Sequence, residues 1–185
     1  MDFMELLASR HSVRDFLPDP IPDDVLNEIL EAGRLAPSAQ NRQPWRYVVL
    51  RDPQHIKKLA LNSGLLGLSN LFIRSAPCLI AACSDSSKGL RVNGLDYHLV
   101  DVAISVQQMV LAAWNRGVGS CWMAAYSETA VKKYLELPKS WRVIALLPFG
   151  YPADKKTLYT KALSFFPDSK NRLPLNKIVR FFGED

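Results

Sequence analysis

Hydrophobic positions along this chain change period several times, and each change marks a predicted element. Residues 2–9 read as a short helix that gives way at Arg10-His11-Ser12-Val13-Arg14 to an extended or loop segment. Pro18, Pro20 and Pro22 interrupt the chain. Pro22 suits a first helical turn, and Asp23 and Asp24 complement the positive end of the helix dipole. Val25, Leu26, Ile29 and Leu30 give that helix an apolar face, and it is expected to stop between Gly33 and Pro37. Trp45 to Leu50, aromatic and β-branched, predicts a strand, and Asp52-Pro53 opens a helix capped by Asp52. A further helix is expected over Leu65 to Ile73. Cys78 to Cys83 is apolar throughout, as in a strand covered on both faces.

The longest predicted element is a helix from Gly94 to Arg116. Leu99, Val102, Ala103, Val106, Met109, Val110 and Ala113 recur at helical spacing, while Ile104, Leu111, Ala112 and Trp114 make other faces apolar too. A helix apolar nearly all round is deeply buried or lies in a subunit interface. Gly117-Val118-Gly119 ends it. After it come a strand including Ser120 to Met123, a helix capped by Ser127 and running through Leu135, and a strand from Trp141 to Phe149. Pro174 opens a short last helix. Strands alternating with helices, with no tight hairpin signal, indicate a three-layer α/β sandwich. The 185 residues carry no internal repeat or linker, which favours one domain over 1–185.

Composition narrows the class. With 48% hydrophobic and 22% charged residues the chain resembles an ordinary soluble globular protein, not a disordered one. Cys78, Cys83 and Cys121 are odd in number and form no Cys-x-x-Cys pair, which argues against a disulfide framework or a zinc site and for buried thiols in a reducing cytoplasm. His11, His55 and His98 are scattered, so no metal site is expected. The net charge of +5 is spread along the chain and carries no nucleic-acid motif. No basic, apolar leader opens the sequence, and the longest apolar run, Ala76 to Cys83, is too short to span a membrane. The expected location is therefore cytoplasmic, with no membrane or nucleic-acid partner.

Three segments carry candidate chemistry. Arg10, Ser12 and Arg14 lie two apart, so extended backbone turns them to one side, where two guanidinium groups and a hydroxyl would receive a phosphate. The run from Ala36 to Trp45 is dense in small residues and amides between two prolines. Such amides suit the hydrogen-bonding edge of a heterocycle. Near the end of the chain, Lys170 and Arg172 add two more cations beside Pro174 and Leu175.

In these segments the chain resembles the nitroreductase family. The Arg-x-Ser-x-Arg-x-Phe pattern runs from Arg10 to Phe16, and Pro-Ser-x-x-Asn-x-Gln-Pro-Trp from Pro37 to Trp45. Gly-x-Gly-Ser-Cys-Trp runs from Gly117 to Trp122, and Pro-x-Gly-Tyr-Pro from Pro148 to Pro152. Five motifs in register, counting the terminal Lys170-Asn171-Arg172, cover nearly the whole chain.

The resemblance implies a nitroreductase-like fold, a central mixed sheet flanked by helices, in an intertwined homodimer with FMN at the interface and NADH or NADPH as co-substrate. By position, Arg10, Ser12, Arg14, Lys170 and Arg172 would hold the phosphate and ribityl chain, with His11 contributing backbone. Pro37, Ser38, Ala39 and Asn41 would reach the ring from the partner subunit. Trp122, Met123, Ala124 and Ala125 would lie against it, with a backbone N–H near N5. Some family members have Glu-Gly where this chain has Ala124-Ala125. Asn70 and Arg74 are candidates, by location alone, to stand near flavin N1.

The implied activity is ping-pong hydride transfer from NAD(P)H through FMN to a small acceptor such as a nitroaromatic or quinone, with no protein nucleophile or acid–base pair. Other readings are a specialised member that activates oxygen or dehalogenates, a non-catalytic flavin-binding protein, and a basic nucleic-acid-binding module. Ser84 to Asp96 is the candidate lid shaping the pocket.

Overall fold

Asp2 opens the first helix. Its carboxylate accepts from the N–H groups of Met4 and Glu5, and the Glu5 side chain accepts from Asp2 N–H in return. This capping box fixes the start of α1 (Phe3–Ser9). The computed structural model describes residues 1–63, 71–154 and 172–183. Within them follow α2 (Asp23–Arg34), β1 (Trp45–Leu50), α3 (Pro53–Ser63), β2 (Cys78–Asp85), β3 (Arg91–Val92), β4 (Leu95–Asp96), α4 (Tyr97–Asn115), β5 (Gly119–Ser120), α5 (Glu128–Tyr134) and β6 (Trp141–Gly150). Pro22 stands at the cap of α2, one position before the predicted first turn.

The sheet has the order β1–β2–β6–β5. Its strand pairs are all antiparallel, and the mixed character expected of it comes from one parallel bridge between Ser12 and Ser120 at the β5 edge. β2 sits in the middle and explains the layering. Successive residues face opposite ways. Cys78, Ile80 and Ala82 enter a core with α2 and α4, while Leu79, Ala81 and Cys83 enter a second core with α3, α5 and the 3-10 turn Leu71–Ser75. The expected strand covered on both faces is this one. The register shifts at Ala82/Cys83, where Ile144 of β6 is the extra residue.

Val102, Val106, Met109 and Ala113 of α4 are wholly buried on the sheet, and each larger side chain contributes roughly 1.5–3 kcal/mol of hydrophobic stabilisation. The outer flank of α4 differs. Leu99 and Ile104 stay exposed, and Val100, Leu111 and Ala112 are half-buried.

Two expectations need correction. The helix begins at Tyr97 rather than Gly94, because Arg91–Val92 and Leu95–Asp96 pair as a hairpin. The turn residues are Asn93 and Gly94, both at positive φ (51° and 80°). Asn-Gly is the favoured pair for such a two-residue turn, so a tight hairpin signal was present after all. Of the helix expected over Leu65 to Ile73, residues 65–70 lie outside the described residues, and the rest belongs to the 3-10 turn Leu71–Ser75.

Candidate active site

The segment after α1 is clamped to one end of the fold. Ser12 bridges Ser120, and Val13 N–H donates to Ser120 O at 2.9 Å. Gly119 permits this approach, since a Cβ there would stand 2.5 Å from Val13 Cγ2. His11 meets the Trp114 ring edge-on at 4.8 Å, and Trp114 Nε1 donates to Ser9 Oγ at 3.0 Å. The segment thus lies against both β5 and the carboxyl end of α4.

Ser12 and Arg14 turn to a common side, as residues two apart in extended backbone should. Both act on the Cys121 thiol. Burial raises its pKa, while the Arg14 guanidinium and a hydrogen bond from Ser12 oppose that rise without overcoming it. Arg10 and Arg14 are half-buried, and neither forms an ion pair with a carboxylate among the described residues. By contrast Arg34, Arg51, Arg116 and Arg142 each sit beside an acid. A partly desolvated cation without a counter-charge favours binding an anion.

Immediately downstream, Trp122, Ala124 and Ala125 are exposed and form a low apolar surface beside the cations. Met123 is different. Its side chain is in the core, and its N–H and C=O both bond Leu146, at 3.1 Å each. The Met123 N–H is therefore not a backbone donor toward a ligand on this surface.

The loop from Pro37 to Trp45 is anchored elsewhere. Ala39 N–H donates to Asp101 Oδ1 at 2.9 Å, and Asp101 is nearly buried near the amino end of α4. Ser38 closes the loop on itself, accepting Asn41 N–H through its carbonyl and Gln43 N–H through its hydroxyl. Gln40, Asn41 and Gln43 have left-handed backbone, with φ of 53°, 55° and 48°. Non-glycine residues pay of order 1–3 kcal/mol for that conformation, and such strain gathers at ligand-binding sites.

Asp101 and Trp114 are thirteen residues apart on one helix. At about 1.5 Å per residue the loop and the cationic segment are anchored ~20 Å from each other along it. The chain therefore brings Arg10, His11, Ser12 and Arg14 together with Trp122 to Ala125, and holds Pro37, Ser38, Ala39 and Asn41 apart from them. Arg172 is exposed and begins the described tail; Lys170 and Asn70 lie outside the described residues. Arg74 is exposed on its 3-10 turn.

Comparison with known proteins identifies the family. The model of the nitroreductase family matches residues 7–64 and 64–151. The chain belongs to the nitroreductase family. It is similar to a protein of Archaeoglobus fulgidus named for NADH dehydrogenase and NAD(P)H nitroreductase activity, 30% identical over 91% of this chain and 96% of that one. It is also 30% identical to an NADH dehydrogenase of Thermus thermophilus, over 97% and 95% of the two chains. Among solved structures, a nitroreductase family protein from Clostridium novyi NT has a TM-score of 0.78 at 30% identity, covering 83% of this chain and 87% of that one. This nitroreductase-family chain is thus an oxidoreductase by descent, in a family that uses FMN with NAD(P)H.

Sequence reasoning missed two supports of the site. Asp101 was hidden inside an apolar helix, although an acid at that position is itself a signal of a buried partner. The fit of Gly119 on Val13 depends on a contact over a hundred residues apart, which no local pattern reports.

Proposed function

We propose that this nitroreductase-family chain is an FMN-dependent, NAD(P)H-linked oxidoreductase that reduces small acceptors such as nitroaromatics or quinones, working as a homodimer with a shared site at the interface. The observation that carries the reading is the pairing of two half-buried arginines, neither ion-paired with a carboxylate among the described residues, with the exposed surface of Trp122, Ala124 and Ala125, a phosphate receptor beside a platform for a flat ring. Bound FMN would take hydride from the nicotinamide and pass reducing equivalents to the acceptor. Arg10 and Arg14 would hold the phosphate through charge-assisted hydrogen bonds, with the Ser12 hydroxyl and His11 backbone beside them. Lys170 and Arg172 would add charge from the tail. Ala124 and Ala125, lacking bulk, would leave the ring open to reactants, and a backbone N–H past Met123 would face its reactive edge. Trp122 would border that surface.

The ~20 Å that α4 places between the two anchored segments supports a site shared between two chains. Pro37, Ser38, Ala39 and Asn41 would then complete the partner's site. The surface supports pairing. Ile104 on α4, Met4 on α1, and Leu175, Ile178, Phe181 and Phe182 in the tail are all exposed apolar side chains that a second chain would cover. The single-domain reading over 1–185 accords with a family match spanning both halves of the sheet. No helix among the described residues is long and apolar enough to cross a membrane, and the three cysteines are buried and unpaired, in keeping with a cytoplasmic home.

The test is direct. Acid release of the chromophore and mass measurement should give FMN, one per chain. Anaerobic mixing with NADH and NADPH should bleach it, and nitroaromatics or quinones should restore it. FAD, or no flavin after reconstitution, would refute the reading. Flavin that neither nicotinamide reduces would leave a binding protein instead of an enzyme.

A further inference from the structure

Arg42 stands in the Pro37–Trp45 loop between two left-handed residues, Asn41 and Gln43. The residue is exposed, yet its guanidinium turns back onto the protein. Nε and Nη2 both donate to Gln40 Oε1, at 3.1 and 2.9 Å, and Nη1 donates to Gly89 O at 2.9 Å. One rigid fork therefore joins the loop to the connection between β2 and the β3–β4 hairpin. These bonds go to neutral oxygens, and the charge on the donor strengthens each of them.

The two ends of this fork differ. Gly89 is held on every side. Its N–H donates to Ser86 O at 3.0 Å, and it lies flat on His98, whose Cδ2 would stand 2.7 Å from a Cβ there. His98 is itself buried and bonded through Nδ1 to the Ser84 hydroxyl at 2.8 Å. On one side of Gly89, Leu90 O accepts from Tyr97 N–H at 2.8 Å; on the other, Asp85 N–H donates to Pro44 O at 2.8 Å. Gly89 O is thus a fixed acceptor, tied to the start of α4 and to the entry of β1. Gln40 is exposed and left-handed, and its side chain bonds only Arg42 among the described residues. A left-handed non-glycine residue keeps that conformation only where its surroundings impose it. Asp101 holds the preceding residue through Ala39 N–H, and Arg42 holds Gln40 itself.

We propose that Arg42 is a positioning residue for flavin: by clamping Gln40 to Gly89 O it holds the strained loop in the shape that meets the isoalloxazine ring. The inference rests on the shared-site reading above, in which Pro37, Ser38, Ala39 and Asn41 reach the partner's cofactor. Arg42 itself touches no cofactor in this scheme. It removes loop freedom before binding, so that less ordering opposes the association.

The test titrates the full-length chain, freed of flavin, with FMN and with riboflavin, which carries the same ring without the phosphate. Arg42→Met removes the clamp and keeps the length of the side chain. Both flavins should bind about three- to tenfold more weakly, as expected when a hydrogen bond that orders the loop is lost. Arg14→Ala, by contrast, should act on FMN far more than on riboflavin. At saturating FMN the visible circular dichroism of the Arg42→Met protein should differ from that of the wild type, because the ring's neighbours have moved. Arg42 is exposed, so the flavin-free variant should melt as the wild type does. Unchanged riboflavin affinity, unchanged dichroism, or a melting temperature that falls in step with affinity overturns the proposal. Any of these leaves the flavin reading standing while the wild type binds FMN, whereas a wild-type chain that binds no flavin removes both.

Discussion

Gly119→Ala should loosen the cationic segment without touching any charged group. The added Cβ would stand 2.5 Å from Val13 Cγ2, 2.8 Å from Val13 Cβ and 3.1 Å from Val13 Cγ1. Val13 is β-branched, buried and joined by its N–H to Ser120, so it has no easy retreat. Overpacking of this kind costs about 1–3 kcal/mol. Alanine offsets up to about 1 kcal/mol of that by restricting the unfolded chain. A net loss of about 1–2 kcal/mol is expected, and for a chain of this size it lowers the melting temperature by roughly 2–8 °C.

The apoprotein should be melted first, so that flavin binding does not mask the packing effect. FMN titration then reads how far the Arg10–Arg14 segment has shifted. Val13→Ala removes the two Cγ contacts and leaves the Cβ contact, so the double variant should recover part of the loss. The cycle should show a favourable coupling of about 1 kcal/mol. Strict additivity, or a Gly119→Ala protein that melts and binds FMN as the wild type does, would refute the argument that this glycine seats the cationic segment.

Arg14→Ala should weaken FMN binding by about 1.5–3 kcal/mol, roughly ten- to a hundredfold, as read by titration of apoprotein; an unchanged dissociation constant would place the phosphate elsewhere. Sedimentation should give twice the 20.8 kDa chain mass, and Ile104→Glu should shift it toward one chain with loss of flavin; a yellow, active single chain would exclude the shared site. Burial pushes the Cys78 and Cys83 thiols up to about 12, so neither should react with a disulfide reagent at pH 8 until the protein unfolds, and prompt native labelling would contradict their placement. Partial burial pushes the Glu128 carboxyl up, but hydrogen bonds from Arg142 and from Val143 N–H outweigh it and leave its pKa below the usual value. Its contribution is thus present above the ordinary carboxylate range and lost as pH falls through the lowered value. The stability gap between wild type and Glu128→Gln should be open at pH 7 and close in acid; a gap that widens in acid would reverse the assignment.

Much of this was legible from residue order, for physical reasons that differ from element to element. β1 was read at its observed bounds because a β-branched and aromatic run between Pro44 and Asp52 has few other conformations open to it. The helices at Asp52-Pro53 and Ser127 were read from their caps, and those caps bond as expected, Asp52 to Gln54 N–H and Ser127 to Ala130 N–H. β5 was harder. Two residues cannot show a period, and the pairing of Ser120 with both Phe149 and Ser12 is made by distant segments. The hairpin at Asn93-Gly94 was obscured because the apolar periodicity of α4 extends backward into Leu95, which is exposed in β4. For the site, the residue types were plain and the partition was not. Nothing in Pro37–Trp45 or Arg10–Phe16 says that the two segments dock at opposite ends of one helix.

That partition explains why the longest helix is apolar on so many sides. One face of α4 must cover the sheet, and Val102, Val106, Met109 and Ala113 do so. A flank must anchor the strained loop, and Asp101 does so with an acid that burial would otherwise exclude. The carboxyl end must seat the cationic segment, which Trp114 achieves against His11 and Ser9. What is left, the stripe through Val100, Ile104 and Leu111, is only partly covered by the described residues, yet it is too apolar for an ordinary solvent face. If that stripe meets its own copy, each chain's loop is carried toward the other chain's arginines, and one contact solves both the exposed flank and the divided site. Fold and function then depend on the same helix: a change on its outer stripe should remove flavin as surely as a change at Arg14, although no residue of that stripe need touch the cofactor.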